Sequence, residues 1–158
     1  MLDGAIGAIA PIVRRLPRAL LDLLHGAPLG HAAHPIAVLI PAGAWISASV
    51  LDVLPGGRGA ARRLIGVGLL AAAPTAASGL ADWSILNERQ QRVGLIHASA
   101  NVIAMTLYAA SLLQRRRGQN TSGKMLAGMG LAVLSASGYL GGHLVYRQGA
   151  RVEVDPAA

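Results

Sequence analysis

The sequence lacks cysteine and phenylalanine altogether, and it has few charged residues. Only 13% of its 158 residues are charged, whereas an ordinary soluble domain has about 25%. Without cysteine, the chain forms no disulfide, no thiolate metal site and no iron–sulfur cluster of its own. Its apolar residues, 53% of the total, occur in blocks of about 20, the length that crosses a hydrocarbon core. The composition therefore predicts an integral membrane protein.

Four apolar blocks are long enough to span a bilayer, and they cover about residues 34–54, 61–83, 92–113 and 124–146. The gaps between them are short, so neighbouring spans must be antiparallel. Their many glycine, alanine and serine residues favour close helix packing in lipid. We predict an all-α fold, a four-helix antiparallel transmembrane bundle at residues 31–147, with a short tail at 148–158.

The first 30 residues differ from the four spans because basic residues and prolines interrupt them. Apolar residues alternate with Arg14, Arg15 and Arg18, and Pro11 and Pro17 break the stretch. Such a segment is too interrupted to cross a membrane. We predict an N-terminal amphipathic helix that lies in the interface, with its leucines in lipid and its arginines near phosphates.

A weak internal repeat relates the two halves of the predicted bundle. The first and third spans both begin near a histidine, His34 and His97. The second and fourth both end near Ala-Ser-Gly followed by an apolar residue, at 77–80 and 136–139. Two related hairpins that face each other would explain this pattern, although chance similarity between apolar helices would also explain it.

The net charge of +7 comes from basic residues in the gaps between spans. This distribution is typical of loops that face lipid headgroups, so the charge indicates membrane contact and no nucleic-acid binding. The loop between the third and fourth spans holds four basic residues, Arg115 to Arg117 and Lys124. Because basic loops stay in the cytoplasm, we expect both termini to face outward.

Polar residues converge at one membrane face of the predicted bundle. Antiparallel spans bring together the starts of the first and third spans and the ends of the second and fourth. The residues at these places are His31, His34, Asp82, Trp83, His97, Asn101 and His143. Ionisable residues inside spans are costly and usually mark a functional interior. Gly138 lies five residues before His143, and Gly142 lies directly before it. Because glycine has no side chain, the backbone there would leave room for a flat ligand.

Several of these motifs together resemble the bacterial four-helix membrane family called domain of unknown function 2231. The resemblance covers about residues 30 to 155, and its residues are His34-Pro35, the stretch from Ser78 to Trp83, His97 with Asn101, and the stretch from Gly138 to Tyr146. It implies the bacterial cytoplasmic membrane and a redox context, because some members are joined to a Rieske iron–sulfur domain. This chain has no cysteine, so the Rieske activity does not carry over.

Three functions are compatible with the polar residues. In the first, a small b-type cytochrome binds haem b between two histidines for electron transfer, with His97 and His143 preferred and His34 as the alternate ligand. Asn101, Gly138 and Gly142 would complete that site. In the second, a transition metal such as copper, zinc or iron binds His34, His97 and His143, with Asp82 as a further ligand.

In the third, the protein is an accessory or assembly subunit of a larger membrane complex, and a homo-oligomer is left open. No glycine-rich phosphate loop follows a strand, and no serine-centred nucleophile elbow is present. The sequence therefore offers little support for a soluble enzyme class, and whether the protein is an enzyme stays open.

Overall fold

The structure, a computed structural model, describes residues 2–152, and this part of the chain is helical, without strands. The remainder of the predicted tail lies outside the described residues. The helices are α1 (Leu2–Arg14), α2 (Arg18–His25), α3 (Ala33–Ala37), α4 (Leu39–Val53), α5 (Arg58–Ser84), α6 (Glu88–Arg116) and α7 (Asn120–Tyr146). A short 3-10 turn, Ala27–Leu29, connects α2 to α3.

The four predicted spans are confirmed. They correspond to Ala33–Val53, which combines α3 and α4, and to α5, α6 and α7, each long and apolar enough to cross a membrane. A turn at residues 55–57 joins the first two spans, and Gly56 has the positive φ of 76° that favours glycine there. An asparagine cap starts α6, where Asn87 and Gln90 exchange side-chain and backbone hydrogen bonds.

Proline explains the break between α3 and α4. Pro41 has no N–H to donate to the carbonyl of Ala37, one helical turn earlier. The hydroxyl of Thr75 in α5 lies 3.3 Å from that carbonyl oxygen and 2.8 Å from the carbonyl oxygen of Ala71, so its proton is shared between the two. The break thus ties the start of the first span to the middle of the second.

The N-terminal segment forms two helices, with Pro17 preceding the second. Ala10 and Val13 of α1 are buried, and α1 packs against α5 and α6. Leu16, Leu20 and Leu23 are exposed, as expected for side chains that enter lipid from an interfacial helix.

The spans form a ring of four, in which α4 with α5 and α6 with α7 are the two closely packed hairpins. Trp45 and Tyr108 stack across the centre, with ring centroids 4.3 Å apart and an interplanar angle of 10°. At the basic face, Arg115 donates to Asp52 with Nη1–Oδ1 at 2.7 Å, and both side chains are buried. The ammonium group of Lys124 donates to the backbone carbonyl of Asp52.

The two hairpins repeat the same contacts, which supports the predicted relation between them. Matching residues are 63 positions apart between the first and third spans and 62 apart between the second and fourth. The pairs are His34/His97, Trp45/Tyr108, Asp52/Arg115, Gly68/Gly130, Thr75/Ser137 and Gly79/Gly141. The sequence comparison had aligned Ser78 with Ser137, so its register was wrong by three residues, almost one helical turn. A pseudo-two-fold axis along the membrane normal relates the halves.

Candidate functional site

The site is built around two histidines, one from each hairpin. His34 lies in α3, and its Nδ1 is 3.0 Å from the carbonyl oxygen of Thr75. A carbonyl oxygen only accepts, so Nδ1 carries the proton and Nε2 keeps the free lone pair. The ring lies against Gly79, where an added Cβ would come within 2.7 Å of the imidazole Cε1. Glycine at this position is what allows the ring to approach α5 so closely.

His97 makes the same contacts in the second hairpin. Its Nδ1 is 2.8 Å from the carbonyl oxygen of Ser137. Gly141 faces its ring, and an added Cβ would lie 3.1 Å from Cε1. Both imidazoles are therefore oriented by a helix carbonyl on one side and a glycine on the other.

The two rings face each other across the pseudo-two-fold axis. The centroids of His34 and His97 are 6.5 Å apart, and the ring planes are nearly perpendicular, at 87°. The rings border a cavity of about 300 Å³ between the hairpins. Leu80 of α5 and Val102 of α6 line this cavity and are themselves 41% and 61% exposed. The cavity therefore opens sideways, between α5 and α6, towards lipid.

Asn101 distinguishes the two histidines. It lies one turn after His97, and its Nδ2 is 3.1 Å from Nε2 of that imidazole. The hydroxyl of Ser137 is 2.9 Å from the Asn101 Oδ1 and donates to it. The amide is thus oriented with its NH₂ group towards His97. Asn101 and His97 therefore lie on the same face of α6.

Asp82 lies at the polar end of the cavity, and its partners differ from those expected. It contacts His25, with Nδ1–Oδ1 at 2.8 Å, and Arg151, with Nε–Oδ1 at 3.1 Å. The sequence had predicted Asp82 as a further ligand of a metal bound by His34, His97 and His143. Arg92 of α6 pairs with Asp3 of α1. Asp82 and its two partners join α2, α5 and the segment after α7 over the cavity.

Other predicted site residues lie apart from the facing histidines. His143 is half-buried and is not among the residues that line the cavity. An added Cβ at Gly138 meets open space, and one at Gly142 meets only the ring of Tyr146, at 3.8 Å. His31 is exposed and lies in a separate polar cleft beside His25.

A tryptophan near the end of a span usually lies in an aromatic belt at the lipid surface, but Trp83 does not. It is instead buried, with 6% exposed, and its indole N–H donates to the carbonyl of Gln91 over 2.8 Å. Its side chain therefore anchors the turn between α5 and α6. Tyr139 and Tyr146 are strongly exposed, as a belt requires.

A metal held by protein side chains alone would need a larger group of ligands than the site contains. Across residues 2–152, no three histidine, aspartate or glutamate side chains lie close enough together to hold an ion. The set of His34, His97, His143 and Asp82 is therefore not brought together there. What the fold does assemble is one histidine pair with a predominantly apolar cavity beside it.

The fold and the site define a class, the four-span membrane proteins built from two similar hairpins. Within that class, the chain belongs to the family described as a predicted membrane protein, DUF2231, whose family model matches residues 30–154. No curated protein and no solved structure matches the chain significantly. The predicted family is thereby confirmed, while the chemistry of the site has to be inferred from its own residues.

Proposed function

We propose that this protein is a small b-type haem-binding electron-transfer module, with His34 and His97 as the two axial ligands. The distance between the two ring centroids, 6.5 Å, is the observation that supports the proposal. A metal bound about 2.0–2.1 Å from one nitrogen of each imidazole would put the centroids about 6 Å apart. Each Nδ1 contacts a helix carbonyl, the kind of contact that orients histidine ligands and puts the lone pair on Nε2. At His97, a bound metal would have to displace the Asn101 amide from that nitrogen.

Haem suits this site better than a bare metal ion. Haem iron needs only one or two axial ligands from the protein, whereas a protein-bound zinc needs at least three. A cavity of about 300 Å³ is at the small end of ligand sites, about 300–1,000 Å³. The sideways opening between α5 and α6 supplies further apolar space. The bound group would supply one-electron chemistry, and its electron partner would be a membrane protein or a larger membrane complex.

Purified protein expressed with haem supply is expected to show a Soret band with a low-spin, six-coordinate spectrum. His34→Ala and His97→Ala should each abolish the low-spin spectrum, because each removes one axial ligand. The double variant should bind at least tenfold less haem than the wild type. Absorption spectra and pyridine haemochrome assays measure both effects.

His143→Ala is the matched control, because it removes a histidine from the same end of the bundle but outside the cavity. Its spectrum and haem content should equal those of the wild type. Wild-type protein without a Soret band would overturn the proposal. A loss of haem in His143→Ala, with retention in the double variant, would refute this choice of ligands.

We also propose that the histidine face lies outside the cytoplasm, in the bacterial cytoplasmic membrane. The basic loop after α6 supports this orientation through the tendency of Lys and Arg to remain inside. Both described ends of the chain, and the turn between α5 and α6, would then face outward.

The absence of cysteine allows a direct test of orientation. Arg89 and Gln119 are exposed residues at opposite ends of the bundle. In intact cells, a membrane-impermeant maleimide is expected to label Arg89→Cys. Gln119→Cys should be labelled only after the cells are permeabilised. The reverse pattern would place the histidines on the cytoplasmic side.

A further inference from the structure

The two facing histidines differ in the hydrogen bonding of their Nε2 atoms. For His97, this nitrogen accepts from the Asn101 amide, with 3.1 Å between the two nitrogens. For His34, the hydrogen bonds of the described residues include a partner for Nδ1 only. The equivalent of Asn101 in the first hairpin, 63 positions earlier, is Val38, which has no polar side-chain atom. The pseudo-symmetry is therefore broken at the nitrogen that would bind iron.

The hydrogen bond to His97 belongs to a connected network. Ser137 donates its hydroxyl to the Asn101 Oδ1 over 2.9 Å, and its backbone carbonyl accepts from His97 Nδ1 over 2.8 Å. This network fixes the amide with its NH₂ towards the imidazole, and it fixes the tautomer of His97 with the lone pair on Nε2. Binding of Nε2 to a metal would require the Asn101 hydrogen bond to break. No such loss accompanies metal binding by His34.

We propose that the two axial positions are unequal: His34 is the firm ligand, and the His97 position can be taken by a small neutral ligand of the carbon monoxide class. This inference rests on the proposed haem site. If His97 were not bound to the iron, its Nε2 would accept from the Asn101 amide, as it does in this structure, so the protein would stabilise that unbound state of His97. A hydrogen bond of ordinary net strength shifts such an equilibrium about two- to tenfold. The shift favours the small ligand.

The test compares carbon monoxide affinity of the ferrous, haem-loaded protein in two variants. Asn101→Val copies the residue of the first hairpin and removes the competing donor. Its carbon monoxide affinity is expected to fall about two- to tenfold relative to wild type, because His97 then holds the iron more firmly. The low-spin fraction of its ferrous spectrum should rise.

Val38→Asn is the second variant, because it leaves the Asn101 network intact and places a donor one turn after His34. It should bind haem about two- to tenfold more weakly than wild type. Equal carbon monoxide affinity in wild type and Asn101→Val would overturn the inference while leaving the haem site in place. So would unchanged haem affinity in Val38→Asn. A wild-type protein without a Soret band would instead refute the haem site itself.

Discussion

Asp52→Ala is expected to lower the free energy of unfolding by about 3–5 kcal/mol. The carboxylate of Asp52 and the guanidinium of Arg115 form a buried, bidentate ion pair. Truncation of Asp52 would leave the Arg115 charge buried, with the Ser111 hydroxyl, 3.1 Å from Nε, as its one remaining side-chain partner among the described residues. An unpaired buried charge is costly because it has lost both water and its counterion. Equilibrium unfolding in mixed micelles, followed by circular dichroism, measures the change.

The exposed pair of Asp3 and Arg92 provides the control. Its partners are 2.8 Å apart, but their side chains are 70% and 50% exposed. Water already solvates both groups, so Asp3→Ala should leave the unfolding curve unchanged.

A double variant, Asp52→Leu with Arg115→Met, should recover most of the stability lost in Asp52→Ala, because it removes both charges. If Asp52→Ala unfolds like wild type, the ion pair is not buried as described. If the double variant is as unstable as the single one, the cost comes from packing and not from an uncompensated charge.

Gly68→Val is expected to destabilise the protein by about 1–3 kcal/mol more than Gly66→Val does. A Cβ at position 68 would overlap the indole of Trp45. That indole is held on two sides: it stacks on Tyr108, and its N–H donates to the Ile65 carbonyl over 3.3 Å. Because the ring has no free space to move into, an added side chain must displace the stack or push α4 away from α5.

Gly66 lies two residues away in the same helix, and an added Cβ there meets nothing within 4 Å. Both variants change helix propensity in the same way, so their difference isolates the effect of packing at the central stack. Unfolding in mixed micelles gives the stability, and near-ultraviolet circular dichroism should show a changed tryptophan signal for Gly68→Val alone. Equal stability of the two variants would contradict the close contact between α4 and α5.

The spans, the family and the face that carries the histidines could all be predicted from the sequence. Span length follows from the thickness of the bilayer, and short gaps force alternating directions, so the depth of each histidine was accessible. The rotation of each span about its own axis could not be predicted from the sequence. A helix with lipid on one side and apolar neighbours on the other has little polar asymmetry to mark its inner face. One residue along a helix turns a side chain by about 100°.

The glycines illustrate this limit. Gly141 packs against His97, while the adjacent Gly142 faces away from that ring, and composition alone cannot distinguish them. The same uncertainty led to His143 as a partner for His97, where the structure has His34. The signal that was missed is the spacing of 63 residues, which also relates Asp52 to Arg115. The sequence analysis had assigned Arg115 to a basic loop, and the shared spacing would have paired it with Asp52.

Asp52 and Arg115 carry opposite charges, one in each hairpin. This difference affects whether a hairpin can pair with a copy of itself. The two residues form an ion pair across the pseudo-two-fold axis. In a symmetric assembly of two first hairpins, carboxylate would oppose carboxylate, and in one of two second hairpins, guanidinium would oppose guanidinium. Either arrangement buries like charges in contact, which is strongly unfavourable. Pairing of a hairpin with a copy of itself is thus disfavoured relative to pairing with its complementary half, despite their common architecture.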